Sequence, residues 1–179
     1  MKIYTKTGDD GNTGLQGNLR ISKSHPRIIS YGTVDEANAA LGVVLSNSID
    51  EDIKKILIDI QNDLFLVGAD LSNPNLNDLK NRVSLNSVEK LESYIDQFEK
   101  ELPLLTNFIL PGGETASAQI HYTRTIIRRA ETLVVQLSEK DEINSNCIRY
   151  LNRLSDLFFV LGRVVNKRNG VSDTVWKPS

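Results

Sequence analysis

Apolar residues recur every three or four positions in five separate stretches of this chain, and proline, glycine or a polar break closes each stretch. That spacing marks amphipathic helices, whose side chains at i, i+3 and i+4 share one face. Pro26 suits a first helical turn, and Ile28, Tyr31, Val34, Leu41 and Leu45 follow in register. A second stripe begins near Asp50 with Ile53, Ile56, Leu57, Ile60, Leu64, Val67 and Leu71, and Asn73-Pro74-Asn75 ends it. Asn86 with Glu89 three residues on reads as a capping box, opening a third stripe of Val88, Leu91, Ile95, Phe98 and Leu102. Pro103 and Pro111-Gly112-Gly113 bracket a connector that holds Phe108. A fourth helix is expected over 114–138, with Ile120, Ile127, Ala130, Val134 and Leu137 inward. After a polar break at 141–144, Ile148, Leu151, Leu154, Phe158, Leu161 and Val165 form a fifth, stopped by Asn169-Gly170. Five such helices predict an all-α fold: a five-helix bundle preceded by an irregular, glycine-rich N-terminal segment.

The length of 179 residues fits one domain. It reads as a head at 1–24, a bundle at 25–169 and a tail at 170–179 that carries Trp176. Gly8, Gly11, Gly14 and Gly17 make the head a loop, with a short strand at 2–4, and the polar stretch from Asn73 to Ser84 is expected to be mobile. With 40% hydrophobic and 25% charged residues the chain is globular, and a net charge of −2 argues against a general nucleic-acid binder. Cys147 is the one cysteine, which excludes an internal disulfide and favours a reducing compartment. The opening MKIYTKTGDDG lacks the apolar core of a secretory signal, and apolar runs such as 157–161 are too short to span a bilayer. A cytoplasmic protein with no membrane and no nucleic-acid partner is expected.

The chemistry lies in the residues that break the stripes. Asp35 and Asn38 fall on the face of the first helix shared by Tyr31 and Leu45. Arg124, Arg128 and Glu131 make one line along the fourth helix, and Asn152, Asp156, Phe159 and Arg163 a similar line along the fifth. Taken singly, each fits a solvated face with surface ion pairs. Two rows that each pair arginine with acid, on helices expected to pack together, point to a site. Arg128 and Arg129 suit phosphate oxygens, which guanidinium groups grip in bidentate fashion. In the head, Thr5-Lys6-Thr7-Gly8-Asp9-Asp10-Gly11-Asn12-Thr13-Gly14 offers amides, hydroxyls and an ammonium fit for an anion nest, with Lys23 as a second cation. It matches neither a P-loop nor an EF-hand. His121 and Cys147 read as packed side chains, Ser155 has no hydrolase context, and Phe108 on these grounds alone reads as core. No nucleophile–base pair emerges, so an enzyme of this kind works by positioning and electrostatics.

The segments Tyr4-Thr5-Lys6-Thr7-Gly8-Asp9-Asp10-Gly11, Tyr31-Gly32-Thr33-Val34-Asp35-Glu36, Phe108-Ile109-Leu110-Pro111-Gly112-Gly113, Arg124-Thr125-Ile126-Ile127-Arg128-Arg129-Ala130-Glu131 and Asn152-Arg153-Leu154-Ser155-Asp156 occur in this order. Together they resemble the PduO-type ATP:cob(I)alamin adenosyltransferases, or corrinoid adenosyltransferases, over nearly the whole chain. The resemblance implies a homotrimer with active sites between subunits. It implies transfer of the 5′-deoxyadenosyl group of ATP to the cobalt of reduced cobalamin, with release of triphosphate. It assigns ATP to Thr5, Lys6, Thr7, Gly8, Thr13, Lys23, Arg128, Arg129, Glu131 and Asn152, with Mg²⁺ held mainly by the phosphates. It assigns catalytic work to Arg128 and to an Asp35–Arg124 ion pair across the subunit interface. Phe108 then blocks the lower face of cobalt instead of packing in the core, and Phe159 walls the same pocket. A corrinoid-reducing protein and an adenosylcobalamin-dependent mutase are the implied partners, the latter receiving the product.

Two positions depart from the family pattern. Asp10 stands where many members have lysine, and Thr132 where a basic residue often follows the glutamate. A corrinoid escort without turnover and a structural oligomer with a vestigial nucleotide site are the competing expectations.

Overall fold

Each of the five apolar stripes is helical, and local hydrogen bonding sets where the helices begin. The computed structural model describes residues 2–17 and 19–178; Met1 and Asn18 of the expected head and Ser179 of the expected tail lie outside the described residues. The chain order is β1 (Asn12–Gly14), β2 (Arg20–Ser22), α1 (Pro26–Leu45), α2 (Glu51–Ser72), α3 (Leu85–Glu99), β3 (Ile109–Leu110), α4 (Thr115–Ser138), α5 (Asn146–Arg168) and β4 (Thr174–Val175). His25 precedes α1 in extended conformation, and its Nδ1 accepts from the Arg27 amide at 3.1 Å. Glu51 and Asp52 sit in the first turn of α2, where carboxylates meet the positive end of the helix dipole. The cap of α3 is Ser84, whose hydroxyl accepts from the Ser87 amide at 3.2 Å. The helix therefore starts before Asn86, and the expected Asn86–Glu89 box is not its cap.

α5 is the central helix. Its residues from Leu157 to Asn166 are buried except for Phe159, and it packs against α3 and α4 and touches α2. α1 fills the space between α2 and α4. Leu41, Ile53, Leu57, Phe98, Ile127, Leu154 and Phe158 are sealed from solvent in one continuous core. Burying each such side chain stabilises the fold by about 1.5–3 kcal/mol. Tyr150 joins them, and its hydroxyl donates to Asp63 at 3.0 Å.

Cross-helix hydrogen bonds fix the helix directions. Arg27 on α1 reaches Leu71 O at 2.8 Å and Asp141 at 3.1 Å, while Asn47 beyond the other end of α1 meets Gln119 on α4. α1 is thus antiparallel to both α2 and α4. Asn152 bonds Glu131, and Ser117 bonds Gly162 O, so α4 and α5 are antiparallel too. One end of the bundle gathers the starts of α1, α3 and α5, together with the head. The opposite end gathers the Phe108 connector and the tail. α4 alone separates these ends by about 36 Å, at about 1.5 Å per residue.

Three details differ from expectation. The short strand at 2–4 is absent, and the head instead pairs β1 with β2, Thr13 opposite Ile21. The 73–84 segment, expected to be mobile, is fastened by a buried carboxylate: Asp70 pairs with Arg82 and accepts from the Val83 amide and from Asn144 Nδ2, both at 2.7 Å. Arg163, expected on the polar line of α5, is buried, because the connector and the tail cover that end of the helix.

The Asp70 cluster ties α2, the 73–84 segment and the α4–α5 turn together. Asp70→Ala strands the buried Val83 amide and leaves the Arg82 guanidinium to backbone carbonyls without its carboxylate, and should cost about 3–5 kcal/mol of unfolding free energy. Urea unfolding measures this. A loss below about 1 kcal/mol would mean the carboxylate is not the fastening.

Candidate active site

The head is built on a hairpin. Leu15 is its one buried apolar anchor, and Gln16 Nε2 docks it on the last turn of α2 by donating to Ala69 O at 3.1 Å and Ser72 Oγ at 3.0 Å. Arg20 reaches back to the carbonyls of Thr7 and Asn12 and folds the 5–8 segment over the hairpin. Lys6 takes a left-handed backbone conformation, φ 60°. Lys23 N–H donates to Gly11 O at 2.8 Å, and its ammonium lies against Gly8, where a Cβ would come within 3.1 Å of Nζ. A side chain at residue 8 would push that ammonium back by a few tenths of an ångström. Thr5, Lys6 and Thr7 are exposed, with Gly8 and Thr13 half-buried beside them. The structure thus brings Thr5, Lys6, Thr7, Gly8, Thr13 and Lys23 into one loop cluster. Arg20 was not legible as part of it, because only the hairpin pairing turns it toward the loop.

The second cluster lies on α4 and α5. Arg124 and Arg128, with Phe159, Asp156 and Arg153 and with Glu92 and Asp96 of α3, line a groove of about 580 Å³. Arg128 also borders a shallower groove with Arg129, Glu131, Thr132 and Asn152, in which Asn152 Nδ2 donates to Glu131 at 2.9 Å. Arg129 is engaged by Glu36 of α1. Among the described residues neither Arg124 nor Arg128 has an acidic partner. Arg124 Nε is buried without an acceptor, and its guanidinium lies 5.9 Å from the Phe159 ring centroid. Burial, and then the like charge of Arg128, pull the Arg124 guanidinium below its ordinary value. Glu99 lines this groove too, so its acids outnumber its bases, but the two arginines of α4 are left out of ion pairs and are suited to an anion.

His121 supports Phe159 from beneath, ring centroids 6.0 Å apart and edge-on. Its Nδ1 is buried without a partner, and desolvation followed by the Arg124 charge hold its pKa down to about 4, against a smaller upward pull from Asp173. It is a neutral packed ring at neutral pH, not a base. Burial pushes the Cys147 thiol up, with Asp70 adding to the effect, so it stays protonated.

Asp35 lies elsewhere. It is exposed in a groove of about 620 Å³ between the head, α1 and α2, beside Tyr31, Asn38 and Phe65. It does not meet Arg124 within one chain. Phe108 stands at the far end of the bundle and is 79% exposed, so the packing reading from residue type alone is wrong. Its carbonyl accepts from the Trp176 amide at 2.8 Å, and the two rings sit edge to face at 6.2 Å. The expected site residues therefore form three groups in a single chain: the head with Asp35, the α4–α5 groove, and Phe108.

Comparison with known proteins agrees with this layout of elements. A family profile described as "Cobalamin adenosyltransferase" matches residues 3–165. The cobalamin adenosyltransferase of Cupriavidus metallidurans is 43% identical over 177 residues, covering 98% of this chain and 94% of the relative. The corrinoid adenosyltransferase of Bacillus subtilis is 45% identical over 184 residues, covering 100% of this chain and 94% of the relative. A phenylalanine-to-alanine variant of a PduO-type ATP:corrinoid adenosyltransferase from Lactobacillus reuteri, solved with cobalamin and ATP, superposes with a TM-score of 0.94 at 36% identity, covering 99% of this chain and 100% of that one.

The depressed pKa of His121 has a measurable consequence. Its value is about 4 folded and 6.5 unfolded, so between these pH values the unfolded chain binds the extra proton. Stability is then complete above the unfolded value and is lost as pH falls toward the folded one, by at most about 3 kcal/mol at about 1.4 kcal/mol per unit. His121→Gln should flatten this fall when urea unfolding is compared at pH about 7.5 and about 4.5. An unchanged pH dependence in the variant would contradict the assignment.

Proposed function

This chain belongs to the cobalamin adenosyltransferase family, and on that premise we propose how it transfers the 5′-deoxyadenosyl group of ATP to the cobalt of a reduced corrinoid. The cobalt of cob(I)alamin attacks C5′ of the nucleotide, a cobalt–carbon bond forms, and the C5′–O bond breaks with its electron pair leaving on triphosphate. Cobalt gives up two electrons to the new bond, so no protein nucleophile or general base takes part. The absence of a nucleophile–base pair at His121, Cys147 and Ser155 fits this chemistry: the thiol is buried, and Ser155 Oγ is spent on Asn152 O at 2.9 Å.

The observation that carries the reading is the pair of unpartnered guanidinium groups, Arg124 and Arg128, beside Asn152 and Glu131. The triphosphate gains negative charge as it leaves, and fixed cations stabilise that change most. Arg128 is assigned to the phosphates, with Lys6 and Lys23 of the head adding their ammonium groups and Thr5, Thr7, Gly8 and Thr13 their hydroxyls and amides. Arg129, Glu131 and Asn152 border the same nucleotide. Asp10 is exposed in the head and supplies no cation. Thr132 Oγ1 donates to Arg128 O at 3.0 Å and supplies none either. Among the described residues no cluster of three or more His, Cys, Asp or Glu side chains is arranged to hold a metal ion. Mg²⁺ enters this reading with the nucleotide, bound by its phosphate oxygens.

A complete site needs two copies of the chain. The head and Asp35 belong to one face, and Arg124, Arg128 and Phe159 to another. A head-to-tail contact joins Asp35 of one copy to Arg124 of the next, and three such contacts close a ring. Ile29 and Val43 on α1, with Tyr122 and Val135 on α4, are apolar, exposed and suited to such contacts. In this homotrimer the corrinoid lies against Phe159, with Phe108 blocking the lower face of cobalt. Loss of the axial ligand makes Co(II) easier to reduce. A corrinoid-reducing protein supplies the Co(I) state, and an adenosylcobalamin-dependent mutase receives the product. A cytoplasmic setting suits these partners, and among the described residues no helix is long and apolar enough to cross a membrane.

Incubation with ATP, Mg²⁺ and prereduced cobalamin should yield adenosylcobalamin and triphosphate. A folded protein that binds the corrinoid without turnover would instead be an escort. Arg128→Ala should lower kcat/KM for ATP by an amount equivalent to about 1.5–3 kcal/mol, the worth of a charge-assisted phosphate contact. Retention of full activity would contradict its assignment.

A further inference from the structure

The ring of Phe108 projects into solvent, so nothing in the core fixes it. A ring that must press on a flat face still needs a fixed backbone. The residues that supply one lie on α5. Asn166 is 6% exposed; its Nδ2 donates to Gly112 O at 2.9 Å and its Oδ1 accepts from the Glu114 amide at 2.9 Å. It therefore holds the end of the Phe108 connector. Gly113 has φ +99°, and a Cβ there would fall 2.2 Å from Asn166 Oδ1, so the second glycine of Pro111-Gly112-Gly113 is what lets the loop reach this side chain.

Arg163, one turn earlier, is also 6% exposed. Its Nε donates to Asp173 at 2.9 Å and its Nη2 to Pro103 O at 3.0 Å. It thus holds the start of the connector and, through Asp173, the tail. The tail then returns to the loop: Thr174 and Val175 pair with Leu110 and Ile109, and the Trp176 amide closes on Phe108 O. A guanidinium presents donors in a rigid planar fork and serves two acceptors at once, which an ammonium does less well. Every partner of Arg163 belongs to the connector or the tail, and none to another helix. The bundle does not need this buried charge; the loop does.

We propose that Arg163 and Asn166 are positioning residues for Phe108, fastening its loop at both ends and, through the Asp173 ion pair, the tail strand that closes over it. This rests on the reading that Phe108 works against the corrinoid. The consequence is selective. Loosening the clamp leaves the nucleotide site and the attack by Co(I) intact, but weakens the step that needs Co(II) stripped of its lower ligand.

The test uses Arg163→Lys and the milder Asp173→Asn, whose side chain is partly exposed and which keeps the experiment decisive if the first variant fails to fold. Rates are measured from prereduced Co(I) and from Co(II) with a one-electron reductant of fixed potential, and the Co(II) spectrum is recorded with ATP bound. The expected result is a rate from Co(I) within about twofold of the unaltered chain and a rate from Co(II) at least about tenfold lower. The four-coordinate Co(II) signature should shrink while KM for ATP stays constant. Phe108→Ala serves as the reference and should itself lose more from Co(II) than from Co(I). Adding Asp173→Asn to it should then cost little more, because both act on one step. If Phe108→Ala shows no such split, the reading of Phe108 fails. If it shows the split while the clamp variants lower both rates alike, or neither, the clamp proposal is overturned.

Discussion

Arg124 and Arg128 stand one helical turn apart on α4, the first half-buried and the second exposed, and among the described residues no carboxylate of their own chain pairs with them. Like charges at this spacing repel, and burial adds a desolvation cost, which is why the Arg124 guanidinium is pulled below its ordinary value. Of the acids that line the groove, Glu92 and Asp156 both pair with Arg153, and Asp96 and Glu99 reach neither Arg124 nor Arg128. A fold tolerates unpaired guanidinium groups where an anion arrives from outside. In the proposed function two sources meet the need, the phosphates of ATP and the Asp35 carboxylate of a neighbouring copy. On that proposal the same unpaired guanidinium groups serve nucleotide binding and assembly.

α5 links this groove to the remote Phe108 loop. Its first half offers Asn152 and Asp156 to the groove, and its second half is buried on nearly every side. In that second half the polar residues Arg163 and Asn166 hold a loop and a tail in place of a ligand. Between them Phe159 faces the groove, backed by His121, and His121 fits only because residue 162 is glycine: a Cβ there would lie 2.7 Å from its Nε2. One rigid helix therefore sets the relative positions of the groups proposed to face phosphate and corrinoid and of those that hold the loop.

The bundle was legible because helix cores repeat at short range, and the stripes at 53–71 and 148–165 name their buried residues directly. What escaped depends on contacts distant in sequence or on backbone detail. Ser84 and Asn86 are both good caps, and the residue types do not say which amide is left free. β3 and β4 are two residues each and lie more than sixty positions apart, so no local pattern announces them. Phe108 looked like core because residue type carries no record of whether a connector turns outward. Arg163 shares a helical line with Asn152 and Phe159, yet segments from elsewhere cover its end of that line. The head was read correctly as an irregular, hydroxyl- and amide-rich loop, but its strand was misplaced, because the glycines that look like breaks frame a hairpin. The family resemblance supplied what periodicity left open: the proposal that residues scattered over three regions of one chain serve a single reaction.

That scattering is the strongest physical argument for a site shared between copies. The head lies near the starts of α1 and α5, while Arg128 is on the other face of the bundle, paired with α5. Mixing two damaged chains tests the claim directly. One carries Lys6→Ala and Lys23→Ala in the head, the other Arg128→Ala in the groove, and the two are unfolded together and reassembled in equal amounts. A site made of one chain's head and the next chain's groove predicts that about one quarter of all sites, one in each mixed ring, regain both intact halves, with activity recovering in proportion. Activity no higher than the mean of the two variants alone would mean that each chain builds its own site, and would contradict the account.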